Sequence, residues 1–297
     1  MERKIILKMQ GGMGNQMFQY ALGRALQEKV KSKLVLDISD YQYDKKRKFS
    51  LDFFNISNNV EIDSSGKYNY LYDQRRNWLI KLAVKLFPNV LFRFGSFWGI
   101  YIWEAVSFHP LKLSDKRSTL FVHGLWQSES YFYEVNDIIK KELRVKFSFL
   151  SQLCKEFSKQ IKNNSVAIHI RRSDYLSKKN KNHVLSMNYY YNAINYIDSV
   201  SNSSQFFIFS DDIEWVENNL DLDNRNIVFV DINLFDYEEF YLMSLCKHFI
   251  IANSTFSWWA SYIGAKADSI IVVPNKWYDD STDISFLMRD NFVKIGD

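Results

Sequence analysis

Arg171 and Arg172 stand in the run His169-Ile170-Arg171-Arg172-Ser173-Asp174. A guanidinium is permanently charged and presents a rigid donor fork suited to phosphate oxygens. Adjacent residues of a strand point to opposite faces. Arg171, two past His169, therefore shares its face and is the expected diphosphate ligand. Arg172 stays open between ligand and brace, and an ion pair of either arginine with Asp174 is the structural alternative. A second run, Asn253-Ser254-Thr255, opens a helix whose apolar positions are Phe256, Trp259, Ala260 and Ile263. Ser or Thr at a helix start caps backbone N–H groups. The same groups and the helix dipole can instead hold a phosphate. Asp211, Asp212 and Asp231 each follow a short apolar run. His169 lies between two isoleucines, as a hydrogen-bonded core histidine or as a contact to a base or phosphate.

The elements that must position these residues are legible from Ser165 onward. Val166–Ile170, Gln205–Ser210, Ile227–Val230, Phe249–Ala252 and Ser269–Val273 read as short buried strands. Met187–Val200, Ile213–Leu220, Tyr237–Leu245 and Thr255–Ala267 read as the helices between them. Such alternation calls for a parallel, doubly wound α/β domain. Ligands bind such a sheet beyond the carboxyl ends of its strands, and every polar run named above falls on that edge. The N-terminus repeats the pattern as a βαβ unit, with strands at Ile5–Met9 and Lys33–Asp37. Between them come the turn Gly11-Gly12-Met13-Gly14 and a helical run through Phe18, Ala21, Leu22, Ala25 and Leu26. The division expected is an N-terminal domain at 1–150 and a C-terminal one at 151–297, with the junction near Phe147–Lys162.

The glycine turn partly imitates a dinucleotide fingerprint, with Asp37 ending the second strand. A nucleotide-dependent oxidoreductase is thus the alternative class. Met17 occupies the third glycine position, so close helix–strand packing through glycine is not expected, and Asn15 and Gln16 are polar in a way that fingerprint does not ask for. A turn that brings backbone and Asn15 against a sugar fits better. A non-catalytic glycan-binding protein is a third class. From about Tyr41 to Arg117 the chain is aromatic and basic, with an amphipathic helix at Arg75–Phe87. That helix reads as a packed element with a solvated basic edge, or as a contact with an anionic membrane surface.

At 297 residues, 47% hydrophobic and 24% charged, the chain can bury two cores. Its net charge of +4 falls short of the basic excess of a nucleic-acid-binding domain. Cys154 and Cys246 read as buried free thiols in a reducing compartment. Neither a signal peptide nor a membrane span is expected. A cytoplasmic location follows, alone or with peripheral contact at the inner face of the membrane. The five histidines lack metal-ligand spacing. Asp221-Leu222-Asp223 has the acidic D-x-D form but falls on the opposite sheet edge and reads as a solvated loop. No metal or cofactor is expected. The charge of a leaving diphosphate would then be met by Arg171 and helix N–H groups. Asp174, His183 and Glu129 are candidate general bases for a hydroxyl acceptor.

Three segments together resemble the bacterial α-1,2-fucosyltransferases, glycosyltransferase family 11. They are Gly11-Gly12-Met13-Gly14-Asn15-Gln16-Met17-Phe18-Gln19-Tyr20, His169-Ile170-Arg171-Arg172-Ser173-Asp174-Tyr175 and Ile251-Ala252-Asn253-Ser254-Thr255-Phe256-Ser257-Trp258-Trp259. Phe209-Ser210-Asp211-Asp212 and Gly124-Leu125-Trp126-Gln127-Ser128-Glu129 match as well. Ser173 and Ser261 stand where glycine is common in that family. The resemblance implies a GT-B fold, two Rossmann-like doubly wound domains facing across a cleft, with residues 1–150 on the acceptor side and residues 151–297 binding the GDP-sugar. It implies inverting transfer of L-fucose from GDP-β-L-fucose to the 2-hydroxyl of a terminal galactose, as in O-antigen or capsule assembly. By the same resemblance Arg171 contacts the β-phosphate, with Asn253, Ser254, Thr255 and Phe256 at the phosphate-binding helix start. His169 lies near the guanine or ribose, and Gly14 and Asn15 approach the fucose. One of Asp211, Asp212 and Asp231 meets the guanine edge. Trp126, Gln127 and Glu129 are assigned to the acceptor.

Overall fold

The computed structural model describes residues 3–69, 82, 86–103, 107–113, 117–172, 175–176, 183–201, 205–221, 225–280 and 282–296. They form two compact units, Met1–Leu143 and Arg144–Asp297. The division precedes residue 150 because the turn at Phe147–Phe149 is tied into the second unit. There the Tyr237 hydroxyl donates to the Phe149 carbonyl at 3.3 Å, and the Ser151 N–H donates to Glu238 at 2.6 Å.

In the first unit the elements run β1 (Lys4–Lys8), α1 (Met13–Val30), β2 (Lys33–Asp37), β3 (Val60–Asp63), α2 (Pro88–Trp98), β4 (Ile100–Trp103), β5 (Thr119–Gly124) and α3 (Asn136–Glu142). The strands form one parallel sheet in the order β3-β2-β1-β5-β4. Chain order reverses between β1 and β5, the type of place where open parallel sheets bind ligands. β1 and β2 are apolar runs buried on both sides, as internal parallel strands require. Glycine does bring helix and strand close here, against the expectation drawn from Met17. A Cβ on Gly23 would sit 2.9 Å from Leu7 Cδ2 and 3.1 Å from Leu34 Cδ1. The packing glycine lies later in α1 than the fingerprint places it. The end of α1 is tied to α3 by Arg24, whose Nε and Nη2 donate to Glu142 at 2.9 and 3.1 Å.

In the second unit come α4 (Gln152–Ser158), β6 (Ser165–Ile170), α5 (Met187–Val200), β7 (Gln205–Ser210), α6 (Ile213–Asn219), β8 (Ile227–Phe229), α7 (Asp236–Leu245), β9 (His248–Ile250), α8 (Thr255–Gly264), β10 (Ile271–Pro274) and β11 (Phe292–Ile295). The sheet order is β11-β10-β9-β6-β7-β8, all parallel. Five of these strands were expected; the sixth, β11, is short and carries Lys294 in its middle. Val166, Ile168 and Ile170 pack against Tyr189, Ala193, Ile194 and Ile197 of α5. The alternate residue, His169, reaches the other face, where α8 lies. Chain order reverses between β6 and β9, so the segments after those two strands flank the switch point.

Apart from Leu82, Leu86 and Phe87, which are exposed, the Arg75–Phe87 helix lies outside the described residues. Among the described residues no helix is long and apolar enough to cross a membrane. Cys154 and Cys246 are buried free thiols, both pushed up to about 12 by burial.

Candidate active site

β6 ends at Ile170, so both arginines stand just beyond the ladder, at the switch point. Arg171 Nε lies 3.3 Å from Asp211 Oδ2, and the other Asp211 oxygen accepts the Arg172 N–H at 2.9 Å. Asp211 thus fixes the direction in which the chain leaves β6 and the orientation of the Arg171 fork. Arg172 turns elsewhere. Its guanidinium lies 3.7 Å above the Trp215 ring and its Nε 3.3 Å from Asp212 Oδ2. Arg171 has a looser version of the same pair of contacts, with its guanidinium 5.9 Å from the Tyr175 ring, so the closer stacking makes Arg172 the more tightly held of the two. Both ion pairs form with the residues after β7. Asp174, the partner named from sequence, lies outside the described residues, and so does its candidacy as a base.

Across the switch point, α8 begins with Ser254 as its N-cap, whose hydroxyl accepts the Phe256 N–H at 3.3 Å. Thr255 and Phe256 are half-buried in the first turn, where helical N–H groups have no intrahelical acceptor. Asn253 requires a correction. It is 1% exposed, and its amide nitrogen donates to the His183 and Trp277 carbonyls, both at 2.7 Å. Both amide hydrogens are thereby committed, and Asn253 latches two loops to the end of β9 instead of donating to a phosphate. The Tyr175 hydroxyl closes the same corner with a 2.9 Å bond to the Asn253 carbonyl.

His169 is 5% exposed, and its Nδ1 is 2.9 Å from the Ser257 hydroxyl. Burial, aided by the Arg171 charge, pulls its pKa down to about 3. It is a neutral imidazole set by α8, with the Phe256 ring 5.6 Å away. Of the base candidates, His183 Nδ1 lies 2.9 Å from Asp279 Oδ1. A carboxylate that orients an imidazole is the arrangement a general base uses. Glu129 is half-buried in the first unit, at the start of a short 3-10 turn. Asp231 is exposed beyond β8 and joins neither arginine pair. Of the D-x-D run, Asp221 is exposed and the other two residues lie outside the described set.

Sequence reasoning missed Glu239. This partly buried carboxyl on α7 is raised to about 7, by burial and then by Asp236; Arg171 opposes the rise and Asp211 adds to it. The signal was hidden because Asp236, Glu238 and Glu239 crowd the first turn of α7, a pattern that reads as a solvated helix start. Glu238 has a separate task, accepting the Phe235 and Ser151 N–H groups. Raised from the usual carboxylate range near 4.3, Glu239 keeps a proton in the folded chain that the unfolded chain has released. Stability present below about pH 4 is therefore lost as pH rises through about 7. His169 works oppositely: its depressed pKa withdraws stability as pH falls below about 6.5. Comparing Glu239→Gln with wild type cancels the His169 contribution. The difference in melting temperature is expected to grow in favour of Glu239→Gln between about pH 5 and 8. A difference flat over that range would show that Glu239 does not titrate there.

The carboxyl edge of the first unit has its own polar group. Gly11 adopts φ +79°, and Asn15 and Gln16 start α1 beneath it. Gln127, after β5, donates to Asn15 Oδ1 at 2.8 Å, spanning the β1/β5 switch point. Gly14 is buried within the first turn of α1. Trp126, assigned to the acceptor from sequence, is a buried ring. It is 1% exposed, enclosed by the rings of Phe92 and Tyr131 at 6.4 and 5.5 Å, and held at φ +55°.

Residues 98–294 match the model of glycosyl transferase family 11. The chain is 33% identical to the O-antigen biosynthesis glycosyltransferase WbnK of Escherichia coli, over 96% of this chain and 98% of that protein. It is 35% identical to an alpha-1,2-colitosyltransferase of Escherichia coli, over 93% and 92% of the two. Among solved structures, fucosyltransferase NodZ from Bradyrhizobium superposes with a TM-score of 0.56 at 15% identity, over 88% of this chain and 93% of that one. That likeness shows a shared fold, and the α/β GT-B class expected from the sequence stands.

Proposed function

Because this chain belongs to glycosyltransferase family 11, we propose that it transfers L-fucose from GDP-β-L-fucose to the 2-hydroxyl of a terminal galactose, inverting the donor and using no metal. The observation that carries the reading is the β6/β9 switch point. There Arg171, oriented by Asp211, and the N-terminus of α8 offer the two kinds of donor a departing diphosphate needs. Charge develops on the leaving GDP in an oxocarbenium-like transition state, and Arg171 meets it there. Neutral His169, fixed by Ser257, lines the nucleoside side. With Asp211 and Asp212 engaged by the arginines, Asp231 and Glu239 are the carboxyl groups open to the guanine N–H edge, and the raised Glu239 would ionise on meeting those donors. The acceptor hydroxyl must lose a proton, and the His183–Asp279 pair is the described group able to take it.

The colitosyl relative sets the alternative donor, since colitose is fucose without its 3-hydroxyl. The test offers GDP-fucose and GDP-colitose in parallel, with terminal galactosides as acceptors, and reads products by mass and linkage. Transfer of fucose to O2, undiminished by excess chelator, is expected. Transfer from GDP-colitose alone would overturn the donor assignment, and loss of activity on chelation would overturn the metal-free mechanism. GDP should also raise the melting temperature, as any ligand of the folded state must. A response to NAD(H) instead would restore the oxidoreductase reading.

A further inference from the structure

Asn253 immediately precedes Ser254, the N-cap of α8, and its buried amide spends both hydrogens on the His183 and Trp277 carbonyls. The His183 N–H donates to the same Trp277 carbonyl at 3.2 Å. Two residues past Trp277, Asp279 Oδ1 lies 2.9 Å from His183 Nδ1. Both members of the His183–Asp279 pair therefore belong to backbone that one amide gathers. We infer that Asn253 is a positioning residue for proton transfer, fixing the His183–Asp279 pair relative to the start of α8. The inference rests on the glycosyl-transfer reading above. In that reading the acceptor hydroxyl gives its proton to the His183 imidazole as its oxygen bonds the sugar and GDP departs.

The base of the latch is itself held. The Asn253 carbonyl accepts the Tyr175 hydroxyl at 2.9 Å, and the Ser254 N–H donates to the Ala252 carbonyl at 2.7 Å. From that turn a single side chain spans to the loops that carry the pair, while the main chain runs directly on into α8. An inverting displacement needs its base and its leaving group at opposite ends of one reaction axis. A misplacement of about 1 Å at such a site can cost roughly a hundredfold in rate.

Asparagine suits the task by its donor count. The two partners are carbonyls, so the amide must present two hydrogens; a carboxylate has none and a hydroxyl has one. The choice has a cost. Asn253 Oδ1 is buried with no hydrogen-bond partner among the described residues, and a buried acceptor left unmade lowers stability. The amide is oriented for its two carbonyls at the expense of its own oxygen.

The experiment is a double-mutant cycle on the full chain, with GDP-fucose and a terminal galactoside, over Asn253→Ala, His183→Ala and the double variant. Asn253→Ser runs beside it, keeping one donor in case the alanine variant does not fold. Either Asn253 variant is expected to lose between roughly tenfold and a hundredfold in kcat. The donor KM and the GDP-induced melting shift should stay near wild type. In the His183→Ala background the same substitutions should cost nothing further, because the group they position is gone. Losses that multiply in the double variant, or a raised donor KM with unchanged kcat, overturn the positioning role and leave the base in place. A His183→Ala variant that turns over like wild type overturns the base assignment and the positioning role together. A wild type with no GDP shift overturns the glycosyl-transfer reading itself.

Discussion

Arg171→Ala is expected to lose roughly a hundredfold or more in kcat, the scale set by removing one well-placed donor from a developing negative charge. The structure gives the reason for so large an effect at one residue. Arg171 leaves β6 at the switch point with its Nε 3.3 Å from Asp211 and stands one quarter exposed, at the edge of the core. Its charge is felt by buried His169 and by Glu239, so it is the cation common to the site's titratable groups. Arg171→Lys should not recover the loss, because an ammonium lacks the planar fork that Asp211 orients. Circular dichroism and thermal melting of both variants should match wild type. Turnover within a few-fold of wild type in Arg171→Ala would remove the residue from the mechanism. Arg172→Ala provides the contrast. Its stacking on Trp215 and its pairing with Asp212 predict a loss expressed in melting temperature more than in kcat.

Gly264→Ala is expected to be among the most damaging single-methyl additions in the second unit. A Cβ on Gly264 would lie 2.2 Å from the Ser244 carbonyl oxygen and 2.9 Å from its carbonyl carbon. Those are backbone atoms of α7, so no side-chain rotation relieves the overlap and the two helices must separate. Overpacking of this kind costs about 3 kcal/mol, at the upper end of the usual range. If the second unit, Arg144–Asp297, melts by itself, that lowers its melting temperature by roughly 6–12 °C. The same displacement shifts the start of α8 relative to Glu239 on α7. The donor KM is therefore expected to rise along with the loss of stability. A variant that melts within a degree or two of wild type would show that α7 and α8 can part freely.

Much of the second unit could be read from its residues. Buried parallel strands are near-continuous apolar runs, and Val166–Ile170 and Gln205–Ser210 have no polar interruption except His169. The first unit was legible only as far as Asp37. β3, β4 and β5 are four to six residues each, separated by long aromatic and basic stretches without a clear period. The β4 run Ile100–Trp103 cannot be told from a piece of buried helix by pattern alone. β11 carries a lysine and lies at a sheet edge, where burial no longer enforces an apolar run.

Residue type and order determined the chemistry at hand: two guanidiniums after one strand, a Ser-Thr helix start after another, and paired aspartates after a third. They also determined that these fall on one edge, because a parallel sheet places every strand end on the same side. The partners of the two guanidiniums were not in the sequence once the strand had ended, since alternation fails beyond the ladder. The positions of Asp211, Asp212 and Trp215 set them, pairing Arg171 with Asp211 and holding Arg172 between Asp212 and the Trp215 ring. The same holds for Asn253, which sequence offered as a ligand and two loop carbonyls claimed. Glu239 lies within electrostatic reach of Arg171 and Asp211, a proximity that the crowded acidic turn of α7 does not reveal in sequence. Local physics fixes which groups exist and to which sheet edge they belong. Partnership between groups far apart in the chain is a competition for hydrogen bonds and space, and only packing in three dimensions resolves it.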